Sequence, residues 1–118
     1  DLFKHVNDSY GHDIGDLVLR KFAKTLLGSI RADDFIARWG GEEFIIITGK
    51  IDKDGLTRLL QKLQKRIKAE DFAPLTKLTA SFGATLYKDG DSYEELFKRV
   101  DNALYQAKKS GRDRFTIV

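Results

Sequence analysis

Apolar residues fall on one helical face in three stretches of the chain. Val18, Phe22, Leu26 and Ile30 recur every four residues, with Leu17 beside them, and predict a helix. Gly11, Gly15 and Asp16 punctuate its start, and Gly28 sits in its last turn. Leu56, Leu59, Leu60, Leu63 and Ile67 predict a second helix, with Lys62, Lys65, Arg66 and Lys68 mostly outside the stripe. Leu96, Val100, Ala103, Leu104 and Ala107 predict a third; Ser92 and Glu95 form a capping box at its start, and Gly111 is a natural stop. Residues 35–39 and 42–48 are β-rich runs around Gly40-Gly41, which predicts a hairpin because glycine accepts the positive φ of tight turns. Ile45-Ile46-Ile47 reads as a strand buried on both faces or nearly so. Leu78, Ala80, Phe82, Ala84 and Leu86 alternate with Thr79, Ser81, Gly83, Thr85 and Tyr87, predicting another strand, and residues 115–118 a last one. Pro74, the only proline, ends the connector before that alternating run.

The order is helix, strand, strand, helix, strand, helix, strand. A strand ahead of the first helix would complete a βαββαβ unit, the ferredoxin-like antiparallel sheet with helices. The expected class is therefore α+β, one domain over residues 1–118 with the first, central strand missing from this sequence. The 42% hydrophobic and 33% charged residues match a soluble globular chain. No apolar run approaches the ~20 residues that cross a bilayer. With 0 Cys, disulfide scaffolds, thiolate metal sites and cysteine nucleophiles are excluded, and a cytoplasmic setting is expected. The net charge of +3 is too small to argue for nucleic acid, and 2 His make a His-rich zinc site improbable.

Four constellations carry candidate chemistry. Gly40-Gly41-Glu42-Glu43-Phe44 places two carboxylates after a turn where a ligand can approach the backbone closely. As strand neighbours Glu42 and Glu43 should diverge, and a hard oxygen donor there suits Mg²⁺ shared with phosphates; the plain alternative is a solvated acidic hairpin edge. In the segment from Asn7 to Asp16, a carboxylate could accept both N1–H and the 2-amino group of guanine, and Asn7 could add a donor and an acceptor. The plain alternative has Asp13 and Asp16 capping the helix and Asn7 filling a turn. The cationic segment from Lys108 to Arg114 suits a helix C-terminus without any ligand, though Lys108 and Arg112 could reach a triphosphate. Arg31-Ala32-Asp33-Asp34 is either a polar connector or an Arg fork with a nearby carboxylate for guanine or phosphate.

Together these residues resemble the GGDEF family of bacterial diguanylate cyclases, in its GGEEF form. Phe3-Lys4, Val6-Asn7-Asp8, Tyr10-Gly11-His12-Asp13 and Gly15-Asp16 look like the segment FKxINDxxGHxxGD. Gly40 to Phe44 match the signature loop, Ser81-Phe82-Gly83-Ala84 is similar to a second motif, and Asp101 to Arg112 resembles DxALYxAKxxGR. The resemblance implies a nucleotide cyclase-like fold and condensation of two GTP into cyclic di-GMP plus pyrophosphate by a homodimer. It implies that Glu42 is the metal carboxylate and base, with Glu43 supporting it. Two Mg²⁺ or Mn²⁺ ions would serve each half-site. Asn7 and Asp16 would read guanine with His12 nearby, and Phe3, Lys4, Lys108, Arg112, Gly40 and Gly41 would hold the rest of the nucleotide. Arg31 and Asp34, five residues ahead of the loop, match the RxxD site where cyclic di-GMP inhibits. An upstream sensor or receiver domain is expected in the parent protein, and the cytoplasmic part of a membrane-bound sensor is an alternative setting for this domain. Asp1 matches the second of two family aspartates; the first, a metal ligand, would lie upstream, so the fragment alone is expected to be impaired. A second reading is a sensor that holds GTP or cyclic di-GMP without turnover. An RNA-binding sheet shares the topology but lacks its aromatic run here, so no nucleic-acid partner is expected.

Overall fold

A computed structural model describes residues 3–40, 42–75 and 78–118, with Phe3 and Lys4 described in their backbone alone. Helices α1 (Phe3–Tyr10) and α2 (His12–Leu27) come first, then strands β1 (Phe35–Gly40) and β2 (Glu43–Ile47). Helix α3 (Lys53–Ala69), strand β3 (Phe82–Ala84), helix α4 (Tyr93–Lys109) and strand β4 (Phe115–Ile117) complete the order. The α+β class and the order of the later elements are as expected. The described strands pair as two two-stranded sheets, β1 with β2 antiparallel and β3 with β4 parallel. The parallel pairing comes from its connection: α4 crosses over between β3 and β4, and a crossover helix returns the chain in the same direction.

The residues group into two compact units, each with its own packing. One comprises the described chain up to Lys50 together with Arg66–Leu78. Here α1 packs on α2. The motif-rich start of the chain carries no strong helix signal, because Asn7, Asp8 and Ser9 are poor helix formers. It is nonetheless helical, and Val6 is buried. Gly11 takes φ +87°, a left-handed value that lets a single residue join the two helices. So α2 starts at His12, Gly15 lies buried inside it, and Gly28 is its C-cap rather than part of its last turn. Val18, Leu19 and Leu26 form its buried face, and Phe22 meets Phe44 of β2 with ring centroids 5.5 Å apart.

That contact corrects the reading of β2. Phe44 and Ile46 face one side of the hairpin with Arg38 and Ile36; Ile45 and Ile47 face the other with Ala37 and Phe35. The first face receives α2. On the second, Phe35 and Ile47 pair across the strands and are 57% and 53% exposed, so the isoleucine run is not buried on both sides.

The other unit comprises Ile51–Lys65 and Thr79–Val118. Asp52 caps α3 by accepting the Gly55 N–H at 2.7 Å. Leu56 and Leu60 then pack with Ala84, against Phe82, Leu86, Phe115 and Ile117. β3 is shorter than the alternation over 78–87 predicts, because only Phe82, Gly83 and Ala84 have partners on β4. A Cβ on Gly83 would strike the Leu104 backbone nitrogen, and would lie 2.6 Å from the Val100 carbonyl oxygen and 2.7 Å from Leu104 Cα. β3 therefore runs directly against the backbone of α4, where Ala103 and Ala107 are completely buried. Half of the capping box forms: Ser92 Oγ accepts the Glu95 N–H at 3.1 Å, while the Glu95 carboxylate reaches back to accept from the Ser92 hydroxyl in place of the backbone N–H. Arg99 ties the far end together, donating to Thr85 Oγ1 at 2.7 Å, to the Leu86 carbonyl at 2.8 Å and to both oxygens of Asp91 at 3.1 and 2.7 Å. This guanidinium, with the Lys88 N–H, holds the Asp91 carboxyl down at about 2.

Candidate active site

The hairpin end is built by a register change. Arg38 opposes Phe44, but Gly40 opposes Glu43, so Trp39 is an extra residue in β1. Such a bulge bends and twists its strand and re-aims the side chains beyond it. Glu43 opens β2, whereas Glu42 lies in the turn before it, and both are exposed. Strand alternation thus governs Glu43 and not Glu42. Gly40 is exposed, with nothing within 4 Å of the position its Cβ would take, so a ligand has room beside the backbone. Gly41 lies outside the described residues.

In the same unit, Asn7 and Asp16 sit on the two helices joined at Gly11. Asn7 is half-buried within α1, and its carbonyl accepts the Gly11 N–H at 2.8 Å. Asp16 is exposed in the second turn of α2, and His12 is exposed in the first. The capping and turn alternatives do not hold for Asp16 and Asn7, whereas Asp13 does sit in the first turn of α2, where a carboxylate favours the helix start. The N-cap of α2 is Gly11, which leaves Asp16 inside the helix rather than capping it, and Asn7 is in a helix rather than a turn. Phe3 and Lys4 begin α1, and their side chains lie outside the described residues.

Arg31 and Asp34 occupy the connector from α2 to β1. Asp34 Oδ2 accepts the backbone N–H of Arg31 at 3.0 Å, and Oδ1 accepts the N–H of Gly49 at 3.2 Å. The carboxylate thus pins the connector to the segment leaving β2 and still has free lone pairs, while the Arg31 side chain is exposed. Sequence reasoning missed Gly49, since a backbone amide fifteen residues away leaves no mark in residue type. From Phe35 to Gly40 the strand advances about 17 Å, which separates this connector from the hairpin end.

Lys108 and Arg112 belong to the other unit. Lys108 lies in the last turn of α4. The backbone beyond is left-handed at Gly111 (φ +122°), Arg112 (φ +61°) and Asp113 (φ +49°). A non-glycine residue in that region costs roughly 1–2 kcal/mol, and such strain concentrates at functional sites.

The family model described as diguanylate cyclase, GGDEF domain, matches residues 1–114. The chain belongs to the GGDEF family. It is 41% identical over 114 residues to the diguanylate cyclase DgcM of Escherichia coli, covering 97% of this chain and 28% of that protein. Among solved structures, it superimposes on the active GGEEF domain of a diguanylate cyclase from Vibrio cholerae with a TM-score of 0.89. The two are 34% identical, over 99% of this chain and 76% of that one. The GGDEF domain of DgcB from Caulobacter crescentus, solved in complex with c-di-GMP, gives a TM-score of 0.90 at 32% identity, over 99% and 72%. The chain thus spans less than a third of the curated relative DgcM.

Two of the GGDEF motifs do structural work in this chain. Gly83 of Ser81-Phe82-Gly83-Ala84 admits α4, and Ala103 and Ala107 of α4 are themselves completely buried. Membership of the family implies a divalent metal. The exposed carboxylates Glu42 and Glu43, on successive residues at the hairpin end, are hard oxygen donors, which fits such an ion. Among the described residues no three His, Asp or Glu side chains converge on one point. Among the same residues no helix is long and apolar enough to cross a membrane.

Proposed function

We propose that this GGDEF domain is the output of a bacterial signalling protein and joins two GTP molecules into cyclic di-GMP, as half of a homodimer. The exposed hairpin end, where Glu42 and Glu43 follow closely on Gly40 and its open Cβ position, carries the reading. The 3′-hydroxyl of each GTP attacks the α-phosphorus of the other. A new P–O bond forms, the bond to the β-phosphate oxygen breaks, and pyrophosphate leaves. Glu42 takes the hydroxyl proton, and Glu43 stabilises the loop that presents it. Asn7 and Asp16 hold guanine, with His12 beside the nucleotide. Phe3 and Lys4 at the start of α1, Lys108 in the last turn of α4 with Arg112 beyond it, and the Gly40-Gly41 backbone take the phosphates. Glu42 would hold Mg²⁺ or Mn²⁺, two per half-site, and the ions would supply neutralisation of phosphate charge and a lower pKa for the attacking hydroxyl. Arg31 and Asp34 bind cyclic di-GMP away from the hairpin end and inhibit. An upstream sensor or receiver domain of the parent protein brings two copies together on the cytoplasmic side.

The test is product chromatography after incubation with GTP and Mg²⁺, on the parent protein and on its Glu42→Gln variant. Cyclic di-GMP is expected from the first and none from the second, with folding stability within about 0.5 kcal/mol because the side chain is exposed. Full turnover by Glu42→Gln would remove the base from this position. GTP binding without product from a folded dimer would favour a nucleotide sensor.

A further inference from the structure

A groove of about 670 Å³ lies between α2 and the segment after α3. None of its described lining residues belongs to the site proposed above, so the inference stands independently of that reading. Its depth is apolar, formed by Val18 and Phe72, each 3% exposed, and Leu17 stands at its mouth 57% exposed. Lys21 is already engaged inside it. Its Nζ lies 3.6 Å from Glu70 Oε1 and 5.9 Å from the centroid of the Phe72 ring. Arg20, Lys24 and Arg66 are exposed around it, and Glu70 is the only carboxylate among the described lining residues. The groove therefore presents three cations beyond the pair that neutralises itself. Leu17, Lys21, Lys24 and Gly28 recur along one side of α2, a wall of about 16 Å at ~1.5 Å per residue.

We propose that this groove docks an acidic peptide segment of a partner protein, one that carries apolar side chains between its carboxylates. Charge complementarity selects the acidic partner, and the exposed Leu17 selects a segment with an apolar side chain to cover it. A single phosphate would leave Leu17 uncovered. A nucleic acid would need an open ring face for stacking, and the Phe72 ring is buried. A bilayer takes several apolar groups that protrude, and among the described lining residues Leu17 is the only large apolar side chain left exposed.

The probe is a fluorescein-labelled peptide with Leu and Glu at helical spacing, followed by anisotropy, with amide NMR shifts locating the contact. A peptide of equal composition with its leucines out of register is the comparison. The in-register peptide is expected to bind more tightly, with shifts confined to α2 and to Arg66 through Ala73. The double variant Lys24→Glu and Arg66→Glu should weaken it roughly tenfold or more, about 1.4 kcal/mol or more. Leu17→Ser should weaken the in-register peptide and leave the comparison peptide unchanged. Lys98→Glu, on the exposed side of α4, should change neither. All four positions are exposed, so a thermal melt should show the fold retained. Equal affinity for both peptides, or no effect of the double variant, would overturn the proposal. Tighter binding of oligothymidylate or of phosphatidylserine vesicles, with shifts in the same residues, would overturn it in favour of a phosphate-bearing partner.

Discussion

Gly83→Ala should destabilise the domain well beyond what one methyl group suggests. The new Cβ would collide with the Leu104 nitrogen and sit 2.6 Å and 2.7 Å from the Val100 oxygen and Leu104 Cα. Ordinary carbon contacts need ~3.5–4.0 Å. All three atoms are backbone of one turn of α4, so no rotamer relieves the clash and helix or strand must move by about 1 Å. Overpacking typically costs ~1–3 kcal/mol, and a backbone displacement belongs at the upper end. Alanine recovers about 0.4–1 kcal/mol by restricting the unfolded chain. The net loss is then about 2–3 kcal/mol, or roughly 8–15 °C in Tm for a chain of this length. Thermal and urea melts by circular dichroism measure it. Gly40→Ala, with an open Cβ position, should stay within about 1 kcal/mol. Gly90→Ala separates sterics from conformation: it also has open space but φ +91°, and should lose about 1 kcal/mol to backbone strain alone. If Gly83→Ala melts within ~2 °C of the parent protein, β3 does not lie against α4 as described.

Three further outcomes test other parts of the molecule. Asp16→Asn should weaken GTP by about 1–3 kcal/mol and ATP far less, since only guanine loses its paired acceptor; equal losses in nucleotide titrations would rule out base reading. Arg31→Ala should relieve inhibition by cyclic di-GMP without changing the initial rate, because Asp34 bonds the Arg31 backbone and holds the connector regardless of side chain. Asp34→Ala, by contrast, drops both backbone bonds and should lower stability as well; undiminished cyclic di-GMP binding by Arg31→Ala in calorimetry would leave that segment a plain connector. Asp91, lowered to about 2 from an ordinary 3.8, stabilises the folded state fully above pH 3.8, and that contribution is lost as pH falls toward 2. The Tm gap between the protein and Asp91→Asn should close over that window, and a gap that stays constant would contradict the Arg99 clamp.

The local elements were legible from residue pattern. The apolar faces of α2, α3 and α4, the Gly-Gly hairpin and the Ser92–Glu95 capping box all depend on neighbours within a few residues, and those spacings are written in the chain. So was the family, because Gly40 to Phe44 and the other motifs are contiguous. What the spacing missed had weak local signals. Helix α1 is built from Asn7, Asp8 and Ser9, poor helix formers that packing of Val6 and its neighbours on α2 overrides.

Tertiary structure alone decided the rest. Burial of Ile47 depends on what covers the second face of the hairpin, and alternation names the face without naming its cover. The length of β3 depends on how many residues β4 offers, and its parallel sense on the route of α4. Trp39 became a bulge through pairing with β2, which moved Glu42 off the strand and into the turn. Gly83 looked like one small residue in an alternating run until the backbone of Val100 and Leu104 stood beside it. A sequence records which side chains want to be buried or charged. Which partner meets them is settled only when segments distant along the chain compete for the same space.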